Sequence, residues 1–280
     1  MDDCYLNMVF DGENKLREQG KTICVKDLNW QPEKERQPVL DGLEFTLEAG
    51  NFYGILGANG SGKTSLMRHL LRLYASKNSI CLGEKPLEEW KQKALAKMLS
   101  YVPQNTVIEV DFTVEEIVMM GRTPYRKRFE PETEQDKQAV LKAMQWTNCE
   151  QFKDKSVTEL SGGEVQRVVA ARAIAQETEW IFLDEPTSHL DLKHQIELMD
   201  LMQRLCQEKG VTIVAVLHDV NLALQYCTHL LLMKNGKLCA AGKSECVGTK
   251  EELATIYEME FEELKLENGG RYLIPVNFVK

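Results

Sequence analysis

The sequence predicts an α/β fold built on a mainly parallel sheet, with hairpins at one edge and an all-helical module inserted in the chain. Three observations lead there. Short apolar runs of strand length alternate with stretches of helical period over most of the sequence. A glycine-rich stretch, "GANGSGKTS" at 57–65, lies between one such run and the next helix. From about 111 to 160 the strand signal disappears and only helical patterns remain.

Taken in order, residues 1–21 are polar without a clear period and read as a loosely docked N-terminal extension. The first strands are "TICVKDL" (22–28), "LEFTL" (43–47) and "NFYGIL" (51–56), rich in branched and aromatic residues. "QPEKERQP" (31–38), with its prolines and charges, must turn the chain between the first two. Residues 63–103 alternate helix, strand, helix, strand and end in "MLSYVPQ". "TVEEIVMMG" opens on a Thr113-x-x-Glu116 capping box, and "PETEQDKQAVLKAMQW" opens on Pro131. Arg126, Lys127 and Arg128 fall between these helices as a solvated basic loop. In "ELSGGEVQR" (159–167) a loop carrying Ser161, Gly162 and Gly163 turns into a helix from Glu164 to Ala175. Alternation then resumes with "WIFLDEP" (180–186), a helix over 191–208, the strand "VTIVAVLHD" (211–219), a further helix, and "HLLLMKNGKLCAAG". Asn235-Gly236 fits a type I′ hairpin turn. The tail "FEELKLENGGRYLIPV" reads as another hairpin about Gly269-Gly270.

Composition narrows the function classes. Hydrophobic content of 43% and charged content of 28% are those of an ordinary globular protein. A net charge of −9 argues against a nucleic-acid-binding surface. The 8 cysteines are scattered without a C-x-x-C pair, so reduced thiols are expected, with Cys24, Cys81, Cys206 and Cys239 in apolar segments. No apolar run is long enough to span a bilayer, and the N-terminus lacks a signal-peptide pattern. The expectation is a cytosolic protein.

The chemistry concentrates at strand ends. In 57–65, Gly57, Gly60 and Gly62 let the backbone wrap phosphates, Lys63 places a point charge on the β- and γ-phosphates, and the Thr64 hydroxyl is placed to ligate Mg²⁺. A chance glycine turn is disfavoured by the strand before it and the helix after it. "WIFLDEP" delivers Asp184 and Glu185 at the C-terminal end of a buried strand, where open α/β sheets bind ligands. Asp184 suits Mg²⁺ and Glu185 suits an attacking water. His218 ends a third apolar strand and Gln104 a fourth. The Ser161–Gly163 helix start offers backbone N–H groups to an anion, yet the chain already has a phosphate loop.

These residues in this order resemble the ATP-binding subunits of ABC transporters, over nearly everything from about residue 22 onward. The matching motifs are the Walker A loop at 57–64, Gln104 in "YVPQ", the signature at 160–164, Walker B at 180–185, Ser188-His189-Leu190-Asp191 as D-loop, and the switch histidine His218. The resemblance implies an ABC-type P-loop ATPase over 22–280, with an antiparallel β subdomain, a helical subdomain at about 105–175 and a C-terminal hairpin region at about 243–280. It implies ATP held by Gly57, Ala58, Asn59, Gly60, Ser61, Gly62, Lys63, Thr64 and Ser65, with Asp191 and Ser161, Gly162 and Gly163 contributing. Mg²⁺ falls to Thr64, Gln104 and Asp184, and catalysis to Glu185, His218 and Gln104. It also answers the question of the second anion site. In a head-to-tail homodimer each signature faces the γ-phosphate held by its partner. Glu164 stands where the family often has Gln. Pro32 stands where an adenine-stacking aromatic is usual, leaving Trp30 either as the stacking ring or as core.

"FTVEEIVMMGRTPY" (112–125) and the stretches within 190–227 are similar to ATPases of importers for iron chelates, haem and vitamin B12. That similarity implies two membrane permease subunits, an extracytoplasmic binding protein acting indirectly, and a peripheral place on the inner face of the cell membrane. Met119, Met120 and Tyr125 are then either groove-lining residues for the permease or core. The rival readings are a non-transport ABC ATPase acting on nucleic acid or ribosomes, and the motor of an exporter with separate membrane subunits. The stretch from Lys63 to Ser161 carries no sustained heptads and the chain has one cassette, which favours the transporter.

Overall fold

The computed structural model describes residues 22–33, 35, 37–104, 111–127, 130–188, 190–265 and 270–278. The strands in chain order are β1 (Thr22–Trp30), β2 (Leu40–Glu48), β3 (Phe52–Leu56), β4 (Ile80–Leu82), β5 (Lys85–Pro86) and β6 (Leu99–Val102). After them come β7 (Trp180–Asp184), β8 (Thr212–Val216), β9 (His229–Lys234), β10 (Lys237–Lys243), β11 (Met259–Lys265) and β12 (Arg271–Phe278). The α-helices are α1 (Lys63–Leu70), α2 (Gln92–Leu95), α3 (Val114–Met119), α4 (Glu134–Trp146) and α5 (Gly162–Ala175), then α6 (Leu192–Lys209), α7 (Val220–Tyr226), α8 (Ser244–Val247) and α9 (Lys250–Tyr257). The described residues form two units, those within 1–90 and 214–280 and those within 91–213.

In the first unit, β1 pairs antiparallel with β2 on one side and with β4 on the other. Along β2, Leu40, Leu43, Phe45 and Leu47 are buried while Glu44 and Glu48 face out, the period-2 pattern of a half-covered sheet. By contrast β3 is buried along its whole length and pairs parallel with β9, each Cα of Gly54–Leu56 facing one of Leu230–Leu232. Strand β9 returns antiparallel into β10 across Asn235 and Gly236, at φ 50° and 78°, as a type I′ turn requires. The run over Ile80–Leu82, read as part of the helix–strand alternation, belongs instead to the antiparallel β1 sheet, because its register partners lie in Ile23–Val25. β11 and β12 pair with each other as a separate two-stranded sheet. Residues 266–269, including Gly269 of the expected turn, lie outside the described residues.

In the second unit, β6 and β7 pair parallel, and Thr212 at the start of β8 donates to the Glu179 carbonyl at 2.8 Å. The helical part is held by an apolar cluster of Val114, Ile117, Val118, Val140, Met144 and Val168 from α3, α4 and α5. Thr113 caps α3 in the expected box with Glu116. Helix α4 starts at Glu134 rather than at Pro131, because Thr133 and Asp136 form their own capping box and satisfy the first turn. Gly162 and Gly163 lie inside the first turn of α5 and not in the loop before it. The cause is again a box, Ser161 with Glu164.

A buried charge network organises this unit. Arg122 donates to Asp136 at 3.0 Å, to the Ala175 carbonyl at 2.8 Å and to Glu177 at 2.7 Å, with its guanidinium 4.0 Å over the Tyr125 ring. Arg122 and Asp136 are both buried, so removing one strands the other in low dielectric. Arg122→Ala is expected to destabilise the chain by about 3–5 kcal/mol in denaturant melts, and Arg122→Lys to recover little, since an ammonium cannot make the forked contacts. A variant as stable as the parent would remove the network from the account of this fold.

Cys24, Cys81, Cys149, Cys206, Cys227 and Cys239 are free thiols. Among the described residues no helix is long and apolar enough to cross a membrane.

Candidate functional site

In the first unit the loop 57–62 joins the buried end of β3 to α1. Its geometry demands glycine at two places. A Cβ at Gly57 would lie 2.3 Å from the Met233 carbonyl oxygen, and Gly62 has φ 99° with the Val39 carbonyl 2.8 Å from where its Cβ would be. Gly62 caps α1 without a side-chain hydrogen bond, and the first turn of α1 carries no acidic residue, so no carboxylate of that turn offsets the helix dipole. Ala58, Asn59 and Gly60 are exposed, Thr64 and Ser65 half-buried, and Ser61 buried. The Gly236 N–H holds the Ser61 carbonyl at 3.1 Å, which ties the loop to the β9–β10 turn.

Lys63 is 5% exposed. Its Nζ donates to the Gly57 carbonyl at 2.8 Å and the Ala58 carbonyl at 3.1 Å, so the loop encloses its own cation. Phosphate oxygens would replace these neutral acceptors with charged ones, the stronger partner.

His218 follows β8 and is exposed. The Leu217 N–H donates to the Ile55 carbonyl at 3.2 Å, which sets the end of β8 beside the end of β3 within this unit. Asp219 caps α7 through the N–H groups of Asn221 and Leu222 at 2.8 and 3.0 Å. Asn221 in turn bonds both backbone groups of Leu273, at 3.0 and 2.8 Å. The Tyr257 hydroxyl is buried against the Gly57 backbone. Burial pushes the phenol up to about 12; the Gly57 backbone pulls against that rise and the Asp219 charge adds to it. The C-terminal segment thus braces the glycine loop and the His218 turn. Sequence reading missed both contacts, because neither Asn221 nor Tyr257 belongs to a motif.

Trp30 is half-buried, with its ring stacked on Tyr74 at 4.9 Å and 22° and edge-on to His69 at 5.3 Å. One aromatic face is therefore already occupied by protein.

In the second unit β7 ends in Asp184, buried, and Glu185, half-buried at φ 48°. The Tyr101 hydroxyl donates to Asp184 Oδ2 at 3.3 Å. Glu185 Oε2 accepts from Gln104 Nε2 and from Ser188 Oγ, the latter at 3.3 Å. Gln104 and Glu185 are brought together across the β6–β7 pair, while Ser188 arrives by the turn that follows. A left-handed backbone at a non-glycine residue is costly and is found where the surroundings hold it.

At the start of α5, Glu164 Oε2 accepts from the Ser161 N–H at 2.8 Å and from Ser161 Oγ at 2.6 Å. These bonds hold the Glu164 carboxyl below its ordinary range. An incoming anion would have to displace that carboxylate from Ser161. Gln166 Nε2 reaches the Pro186 carbonyl at 3.4 Å, linking α5 to the turn after Glu185. Asp191 caps α6, accepting from the His194 N–H at 2.9 Å. His189 lies outside the described residues. Met119 packs on the helical cluster and Met120 is 41% exposed, while the Tyr125 hydroxyl donates to the Gln176 carbonyl at 3.0 Å.

Residues 40–188 match the family model of the ABC transporter. The chain is 40% identical over 241 residues to YvrA of Bacillus subtilis, an uncharacterised ABC transporter ATP-binding protein; this covers 85% of the chain but 54% of YvrA, so the chain spans about half of that relative. It is 39% identical over 220 residues to the ferric enterobactin transport ATP-binding protein FepC of Escherichia coli, covering 78% of the chain and 81% of FepC. A solved ABC transporter, described as being of the metal-chelate type and inward-facing, superposes with a TM-score of 0.79 at 26% identity, over 92% of this chain and 98% of that one.

Proposed function

The chain belongs to the ABC transporter family and is an ATP-binding, ATP-hydrolysing subunit; from that premise we propose that it powers the import of a chelated metal, in the class of iron siderophores, haem and cobalamin. The observation that carries the substrate class is the likeness to the enterobactin protein over about four-fifths of both chains. The partners proposed are a second copy of this chain, two permease subunits and, indirectly, an extracytoplasmic binding protein. Residues at about 105–175, with Met120 exposed on them, are proposed as the module that meets the permease.

The residue roles follow from chemistry. Lys63 and the N–H groups at the α1 start bind the β- and γ-phosphates. Thr64, Gln104 and Asp184 offer hydroxyl, amide and carboxylate oxygens, the hard donors that Mg²⁺ takes, and the Gln104 nitrogen is already engaged by Glu185. When bound, Mg²⁺ supplies charge neutralisation at the phosphates. Glu185, held by Gln104 and Ser188, orients the attacking water and accepts its proton. His218 reaches the γ-phosphate from the end of β8. Ser161, Gly162 and Gly163 serve the ATP of the other subunit, because the chain has one phosphate loop for one nucleotide.

The test is co-reconstitution with an iron-chelate permease in proteoliposomes. ATP turnover is expected to rise when the permease and its loaded binding protein are both present. Turnover indifferent to every permease of that class, or tight duplex DNA binding with a steep salt slope, would overturn the transport reading.

A further inference from the structure

We infer that His194 is a positioning residue of the nucleotide site, joining the start of α5 to the start of α6 by filling the space over Gly163 and holding Asp191. The inference rests on the proposed assignment of Gly163 and Asp191 to that site. It goes beyond that assignment, because His194 belongs to none of the motifs that define it.

The geometry has two halves. First, His194 Nδ1 lies 2.8 Å from Asp191 Oδ1, the same oxygen that accepts the His194 backbone N–H. A carboxylate can only accept there, so Nδ1 carries the proton and the ring plane is fixed. These bonds hold the Asp191 carboxyl below its ordinary range. Second, the same ring lies on Gly163. A Cβ built on Gly163 would sit 3.1, 3.2 and 3.3 Å from Cδ2, Cγ and Nδ1 of His194. A side chain at 163 must therefore push the imidazole away, and the ring cannot shift far without losing Asp191. Nearby, Arg167 of α5 pairs with Glu197 of α6 on the same side, which limits how far the two helices can separate to make room.

The absence of a side chain at 163 thus has a cause inside the chain. With the imidazole held by Asp191, even a methyl group at 163 crowds the ring and must displace it by a few tenths of an ångström. Asp191 and the start of α5 are thus coupled through this ring, with the Arg167–Glu197 pair as a second tie between the same helices.

Four variants of the full chain test this: His194→Ala, His194→Asn, Gly163→Ala and the double variant His194→Ala/Gly163→Ala. His194→Ala is expected to lower kcat about tenfold while leaving the ATP KM within about twofold, since small misplacements cost rate rather than nucleotide affinity. His194→Asn, whose amide nitrogen can stand near the Nδ1 position, is expected to recover most of that loss. Gly163→Ala is expected to cost at least about tenfold with His194 in place, and its cost is expected to shrink by about threefold or more once His194 is alanine. Equal costs in both backgrounds, full turnover in His194→Ala, or no recovery in His194→Asn would each overturn the role. Melting temperatures of the same four variants separate two failures. Absence of turnover in the unsubstituted chain would sink the ATPase reading and this role with it. Additive melting shifts in a chain that does turn over would sink this role alone.

Discussion

Lys63→Ala is expected to abolish nucleotide binding in the micromolar range and to lower ATP turnover by at least about 10²-fold, the scale on which a single preorganised charge donor counts. The reason lies in what Lys63 now does. Its ammonium is almost fully buried and bonds to the Gly57 and Ala58 carbonyls, so the loop is already folded around a cation. ATP then exchanges neutral carbonyl acceptors for phosphate oxygens, with little rearrangement of backbone. Without the ammonium, the N–H groups of α1 remain but face a multiply charged anion alone. The measurement is the shift of the melting curve with added Mg²⁺-ATP. At a ligand concentration of 100 times Kd, binding stabilises a chain by about 2.7 kcal/mol, which moves the parent curve by several degrees. The Lys63→Ala curve should not move at all. Because the ammonium also ties the loop together, the variant is expected to start from a lower melting point, and the ligand-dependent shift is the informative quantity. A shift equal to that of the parent would remove Lys63 from the phosphate site.

Much of this arrangement is legible in the sequence, for physical reasons that can be named. Strands β3, β7 and β8 are buried from end to end, and continuous apolar runs such as "WIFL" and "TIVAV" announce them. Asn235-Gly236 announces its turn because few other pairs tolerate two positive φ angles. The glycine loop announces itself because spacing alone places its lysine. What the sequence hides is pairing at a distance. Ile80–Leu82 reads as a strand, but that it lies against Ile23–Val25 follows from tertiary register and not from its own residues. Arg122 belongs to no motif in the sequence, and only folding sets Asp136 and Glu177 around it. Helix starts fall between these extremes. Pro131 suggests one start for α4, yet Thr133-x-x-Asp136 supplies the reciprocal hydrogen bonds that fix it. Ser161-x-x-Glu164 likewise draws Gly162 and Gly163 into α5, a signature present in the letters that the glycines obscured. His194 is hidden for another reason. Its significance comes from what Gly163 lacks.

Glu185→Gln is expected to keep ATP binding and to lower turnover by about 10²–10⁴-fold, the range of a lost general base. The structure makes this a clean substitution. Glu185 Oε2 accepts from Gln104 and Ser188, and a glutamine oxygen in the same place accepts from both, so the side chain keeps its orientation. Its backbone stays at φ 48°, which glutamine adopts at the same cost as glutamate. What disappears is the ability to take a proton from the attacking water. Binding without hydrolysis should then accumulate the nucleotide-bound assembly, read as a shift to dimer on gel filtration with Mg²⁺-ATP and no such shift with Mg²⁺-ADP. Gln104→Ala and Ser188→Ala supply the contrast. Each removes a hydrogen bond that aims the carboxylate while leaving the base itself, so Ser188→Ala should slow turnover by only about tenfold, and Gln104→Ala, which also takes an oxygen from Mg²⁺, by more. If Glu185→Gln turned over near the parent rate, Glu185 would not be the base. If it fell no further than Ser188→Ala, the carboxylate would be acting by orientation alone, and the proton acceptor would have to be sought among the other polar groups of this site.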